Sequence, residues 1–124
     1  MFQVIWVELP VLNIERAMKF YQTMFEIQPT EISADGTRRT TTLINVSPEG
    51  FPGISLTETK GFEPSSKGTW VYFNAGEDLA THLSRVEPAG GKIVTPKTDM
   101  GGGAGFYASV EDTEGNVIAL YSTK

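Results

Sequence analysis

Val4-Ile5-Trp6-Val7-Glu8-Leu9-Pro10, followed closely by Asn13-Ile14-Glu15-Arg16-Ala17-Met18-Lys19-Phe20-Tyr21, reads as a strand that hands the chain to a helix. Residues 4–9 mix apolar, β-branched and aromatic side chains and stop at a proline, as a strand does. Alternation puts Ile5, Val7 and Leu9 on one face, and Val4, Trp6 and Glu8 on the other. Asn13 has the short polar side chain of an N-cap, able to accept a bond from an orphan helix N–H. Ile14, Ala17, Met18, Tyr21, Met24 and Phe25 recur at three- and four-residue spacing, which predicts an amphipathic helix over 14–25.

The same unit returns later in the chain. With a shift of 64 residues Trp6 falls on Trp70, the only other tryptophan, and Gly53-Ile54-Ser55-Leu56 falls on Val117-Ile118-Ala119-Leu120. Residues 14–25 then fall on a second helical stretch, 78–89. A period near 60 residues is too long for a solenoid unit and too short for two independent domains. The expectation is an α+β fold: a single domain over 1–124, made of βαβββ half-domains at about 1–60 and 67–124 with a linker at 60–68. Four mostly antiparallel strands per half are expected to curl into a cup with the helices outside. A site is expected where the halves meet, with both tryptophans beside it.

Within the first half, strands are expected at 27–33 and 40–46, either side of an Asp35-Gly36 turn. Pro48-Glu49-Gly50 turns the chain into a fourth strand at 53–58. The second half is expected to open with a strand at 69–75 and to cap its helix with Asp78. Leu79, Leu83 and Val86 line that helix, and Pro88-Ala89-Gly90-Gly91 ends it. Strands follow at 92–96, 105–110 and 116–122. A glycine-rich mobile loop at 99–105 and the turn Asp112-Thr113-Glu114-Gly115 join them.

Composition narrows the function classes. The 124 residues include no cysteine, so disulfides, thiol catalysis and thiolate metal sites are excluded. A net charge of −5, with ten basic residues dispersed, argues against a nucleic-acid partner. Arg38-Arg39, the only basic doublet, is read as a solvated turn or strand end. No apolar run has the length of a membrane span and the first residues lack a secretory pattern, so a cytoplasmic protein without a membrane partner is expected.

Asn13-x-Glu15-Arg16-Ala17-x-x-Phe20-Tyr21, Ala89-Gly90-Gly91 and Glu111-Asp112-Thr113-Glu114-Gly115-Asn116-Val117-Ile118-x-Leu120 resemble the vicinal oxygen chelate superfamily. That group contains glyoxalase I, bleomycin-resistance proteins and extradiol dioxygenases. The resemblance covers nearly the whole chain and implies the paired βαβββ cup, usually as a homodimer. It is poorly specific to activity, because one fold hosts many functions. Its metal-bearing members take one ligand, His or Glu, from the first and last strand of each half. Here those positions are Trp6, Ser55, Trp70 (or Val71, if the match slips by one) and Ala119. Indole is a donor only, alanine has no lone pair, and a lone serine is a poor ligand for a first-row metal. No metal and no other cofactor is therefore expected. His82, the sole histidine, is expected on the solvent side of the second helix.

Trp6, Trp70, Tyr72 and Tyr121 share strand faces with those positions. They either line a pocket for a flat or apolar small molecule or fill the cup as a second core. Glu8, the only acid in the middle of a strand-like run, needs a partner on such a face. It is read structurally as the partner of an arginine or lysine or as a residue of a wet dimer interface, and functionally as a general base or ligand anchor. The functional expectation is a metal-independent small-molecule-binding protein of the glyoxalase/bleomycin-resistance type. Its candidate ligand-binding residues are Trp6, Glu8, Ser55, Trp70, Tyr72 and Tyr121. The alternatives are a lyase, isomerase or dioxygenase-type enzyme, with Glu8 as catalytic base or with a divalent metal, and a small interaction module.

Overall fold

The first strand forms where its apolar residues begin to alternate and its edge meets a distant partner. In the computed structural model, which describes residues 2–45 and 52–124, this is β1 (Trp6–Pro10). Helix α1 (Ile14–Phe25) has the expected bounds, and the Asn13 side chain accepts the Arg16 N–H at 3.0 Å. Ile14, Ala17, Phe20, Tyr21 and Met24 form its buried stripe. Phe20 belongs to that stripe, whereas Met18 and Phe25 lie at its half-buried margins. Then come β2 (Ser33–Ala34), β3 (Arg38–Asn45) and β4 (Gly53–Thr59). The second half supplies β5 (Tyr72–Asn74), α2 (Ala80–Val86), β6 (Lys92–Asp99), β7 (Phe106–Glu111) and β8 (Val117–Ser122).

The chain forms two units, one ending at Pro64 and the other beginning at Ser65. The first sheet has the order β1-β4-β3-β2 and the second β5-β8-β7-β6. In each, the first and last strands of the unit run parallel and the other pairs run antiparallel. The fold is α+β with two half-domains of one topology. The repeat extends to register: Glu8↔Ser55 and Leu9↔Leu56 in the first sheet become Tyr72↔Ala119 and Phe73↔Leu120 in the second, each shifted by 64. Among the described residues no helix is long and apolar enough to cross a membrane.

Each sheet turns one face to its helix. In the first unit Leu9, Leu43 and Leu56 are buried, with α1 against β3 and β4. In the second, Ala108, Val110, Ile118 and Leu120 are buried, and Ser122 Oγ accepts the Leu79 N–H at the start of α2. Ile5, expected on the core side, is 51% exposed, although its carbonyl accepts the Gly53 N–H at 3.1 Å.

Several expected elements are corrected. The strand at 27–33 shrinks to Ser33–Ala34, although a Thr30 N–H bond to the Thr42 carbonyl keeps the chain beside β3. The strand at 69–75 is only Tyr72–Asn74, and the helix over 78–89 is Ala80–Val86. Asp78 accepts the Ala80 N–H, but the residue flanking the helix is Leu79, whose side chain makes no capping bond. Strand β6 runs to Asp99, three residues beyond the expected end at Pro96, and His82 is half-buried. The Asp35-Gly36 turn stands: Gly36 has φ +91° and Asp35 Oδ1 accepts the N–H groups of Thr37 and Arg38. The turn expected at Pro48-Glu49-Gly50 lies outside the described residues.

Candidate functional site

The face of the first sheet opposite α1 is built in cross-strand rows. One row pairs Trp6 with Gly53. The next holds Glu8, Ser55 and Thr42, and the third Thr57, Thr40 and Ser33. Alternation therefore gathers five hydroxyls on one face, beside one tryptophan and one carboxylate. Trp6, Glu8, Ser55 and Thr42 contribute to the wall of a cleft of about 270 Å³. Ser33, Asp35, Arg38 and Thr40 complete it.

Trp6 is held on two sides. A Cβ built on Gly53 would strike the ring carbons Cζ3, Cε3 and Cη2, so the indole lies on the bare backbone of β4. Its Nε1–H donates to Ser55 Oγ at 3.1 Å. Trp6 as a whole is nevertheless 39% exposed, and it lines the cleft. A seated, pinned aromatic with part of its surface open is a stacking platform.

Glu8 Oε1 accepts from Arg38 Nη2 at 2.6 Å, with both side chains over a third exposed. The structural ion pair read from sequence is thus present. Its partner was not legible: Arg38-Arg39 opens β3, so the doublet sends one guanidinium to each face. Arg39 goes to the helix side, where it meets Glu58 through Nε and Nη2 and Glu15 through Nη1 and Nη2. Glu58 also accepts the Ile14 N–H at 3.0 Å. Hydrogen bonding from Arg39 holds the Glu15 and Glu58 carboxyls below the usual range, and these carboxylates raise the Arg39 pKa. On the cleft side, the N–H groups of Thr37 and then Arg38 hold Asp35 below the usual range.

The hydroxyls of Ser33, Thr40 and Thr42 make no hydrogen bond among the described residues, whereas Ser55 Oγ is engaged by Trp6. Thr57 Oγ1 is buried and has no partner among the described residues. Ser33, Arg38, Thr40, Thr42 and Gly53 were missed from sequence as site residues. The signals were there in the threonine run 40–42 and in the glycine that faces Trp6 in register.

The remaining expected site residues lie in the second unit. Trp70 precedes β5 and is 40% exposed, with its ring 6.5 Å from that of Tyr72. Tyr72 is paired with Ala119 and is 52% exposed. Tyr121 donates its hydroxyl to the Ala104 carbonyl at 2.7 Å, fastening a turn closed by the Met100 N–H to Gly105 carbonyl bond. The position equivalent to Gly53 is Val117, so Trp70 has no bare backbone of that kind.

The family's divalent metal does not fit these positions. Trp6 and Trp70 offer only N–H donors, Ala119 offers nothing, and Ser55 already accepts from an indole. Among the described residues no three His, Cys, Asp or Glu side chains are grouped to hold an ion. The acidic motif near the end of the chain is structural. The Asp112 carboxylate accepts the N–H groups of Glu114 and Asn116 and closes the turn between β7 and β8.

Comparison with known proteins agrees with this architecture. A glyoxylase-like domain-containing protein from Didymella fabae is 28% identical over 120 residues, covering 95% of this chain and 91% of its own. A glyoxalase/bleomycin resistance protein/dioxygenase domain from Frankia sp. EAN1pec superposes with a TM-score of 0.77 at 17% identity, over 100% of this chain and 93% of that one. A glyoxalase I mutant from Zea mays superposes with a TM-score of 0.75 at 23% identity, over 96% of this chain. This chain spans only 46% of the maize protein. Residues 3–120 match the model of the glyoxalase/bleomycin resistance protein/dioxygenase superfamily, and the chain belongs to that family.

Proposed function

We propose that this chain is a metal-independent small-molecule-binding protein of the glyoxalase/bleomycin-resistance type. The observation that carries the reading is Trp6, laid on Gly53, pinned by Ser55 and open toward a cleft walled by Glu8 and Arg38. An indole at a position where metal-bearing relatives place a ligand trades coordination for stacking. In the second unit Trp70 and Tyr72, whose rings lie 6.5 Å apart, and Tyr121 are proposed as ligand-binding residues in their own right. A homodimer in the cytoplasm, with neither nucleic acid nor membrane as partner, completes the proposal.

A second reading, an enzyme of the superfamily with Glu8 as general base, is favoured by one observation. Glu8 lines the cleft, and only its Oε1 is hydrogen-bonded among the described residues. Two measurements decide. Elemental analysis of purified protein is expected to find no stoichiometric Zn, Ni, Fe or Mn, and assay to find no lactoylglutathione lyase activity. One ion per chain, lost together with an activity on chelation, overturns metal independence. Trp6→Ala is expected to weaken ligand binding by about 1–3 kcal/mol, the worth of a buried aromatic contact. Glu8→Gln that abolishes a turnover while leaving binding intact would establish the enzyme instead.

A further inference from the structure

We propose that the cleft on the first sheet seats one neutral, polyhydroxylated ring, a pyranose being the simplest such molecule. This rests on the reading of that face as a ligand site and names the ligand's chemical class.

The lining itself makes the choice. Ser33, Thr40 and Thr42 bring hydroxyls without protein partners, and each can both donate and accept. A flat apolar ligand would strip water from these groups and from the Glu8–Arg38 pair and return no hydrogen bond. A ring carrying a hydroxyl on each carbon returns them. Trp6 supplies the complementary surface, because the negative face of an aromatic ring attracts the C–H side of a sugar.

Charge selects a neutral ligand. An anion entering the cleft would meet two carboxylates, Glu8 and Asp35, against one guanidinium. A cation would find Glu8 already held by Arg38, and Asp35 Oδ1 held by the N–H groups of Thr37 and Arg38. The Glu8–Arg38 pair itself presents an acceptor and donors side by side, which is what vicinal hydroxyls bond to. Size limits the ligand to a single ring, since about 270 Å³ falls just below the usual range of ligand pockets.

The test is calorimetric titration with the methyl α-pyranosides of D-glucose, D-galactose and D-mannose, alongside indole and phenylacetate. Trp6 emission in Trp70→Phe protein gives an independent reading. At least one pyranoside is expected to saturate and to change that emission. Thr42→Val, which removes a hydroxyl from the lining, and Trp6→Leu should each weaken it fivefold or more, with circular dichroism confirming that the variants are folded. Saturation by indole or phenylacetate, with all three sugars inert, overturns the sugar class and leaves the ligand-binding reading standing. Sugar binding that ignores both substitutions places the sugar elsewhere and overturns the proposal. Failure of all three sugars, with indole and phenylacetate also inert, overturns the sugar proposal, while the ligand-binding reading is judged separately by the Trp6→Ala measurement.

Discussion

At the residue scale, Gly53 matters for what it lacks. Its missing side chain is the floor under Trp6. Gly53→Ala is expected to lift the indole, break its bond to Ser55 and shift Trp6 emission toward that of solvated tryptophan. The accompanying loss of stability should be about 1–3 kcal/mol, as for other overpacked contacts. Unchanged emission and melting temperature would refute the seating. The sequence singled out Trp6, Glu8 and Ser55, because an alternating strand and an internal repeat place them on one face. It did not reveal Arg38 or the threonine hydroxyls. Which way a strand-opening doublet splits depends on where the preceding turn ends, and neither charge nor hydropathy marks that point.

At the scale of elements, the Arg39 clamp ties the first turn of α1 to β3 and β4 through Glu15 and Glu58. Both carboxyls are held below their ordinary values, as are Asp35 through turn N–H groups and Asp78 through Lys97. A depressed carboxyl stabilises the fold above its unfolded pKa, and that stabilisation is lost as pH falls through the folded value. The melting temperature should therefore stay level from neutral pH to about 5.5 and drop below about 4.5. Arg39→Ala should lower it at neutral pH and flatten the acid limb. An acid limb as steep as the parent's would show that the clamp does not govern it. The bounds and cap of helix α1 were legible to the residue because both signals are local, whereas its buried stripe was read without Phe20. Strand β2, helix α2 and the short β5 were misjudged because their lengths depend on pairing and packing, which local propensity does not encode.

At the scale of the whole molecule, the repeat was the most legible feature, since a constant shift survives in sequence and in register alike. The outer strands bear on assembly. β6 exposes Ile93 and Val94, and the segment leading into β1 exposes Phe2, Val4 and Ile5. Proteins usually cover such strands, and the proposed homodimer would do so. Light scattering at micromolar concentration is expected to give twice the 13.5 kDa chain mass, and a monomer mass would contradict it. The pairing of β1 with β4, and of β5 with β8, also bears on biogenesis. In each sheet the last strand of the unit lies between the first and the third, so neither needs the other's residues to complete its hydrogen-bond ladder. As the chain leaves the ribosome, the amino-terminal ladder can zip shut once Thr59 has emerged, before the carboxy-terminal one can be completed by β8. The separation from Trp6 to Gly53 equals that from Tyr72 to Ala119, so each closure must overcome a loop entropy of the same length.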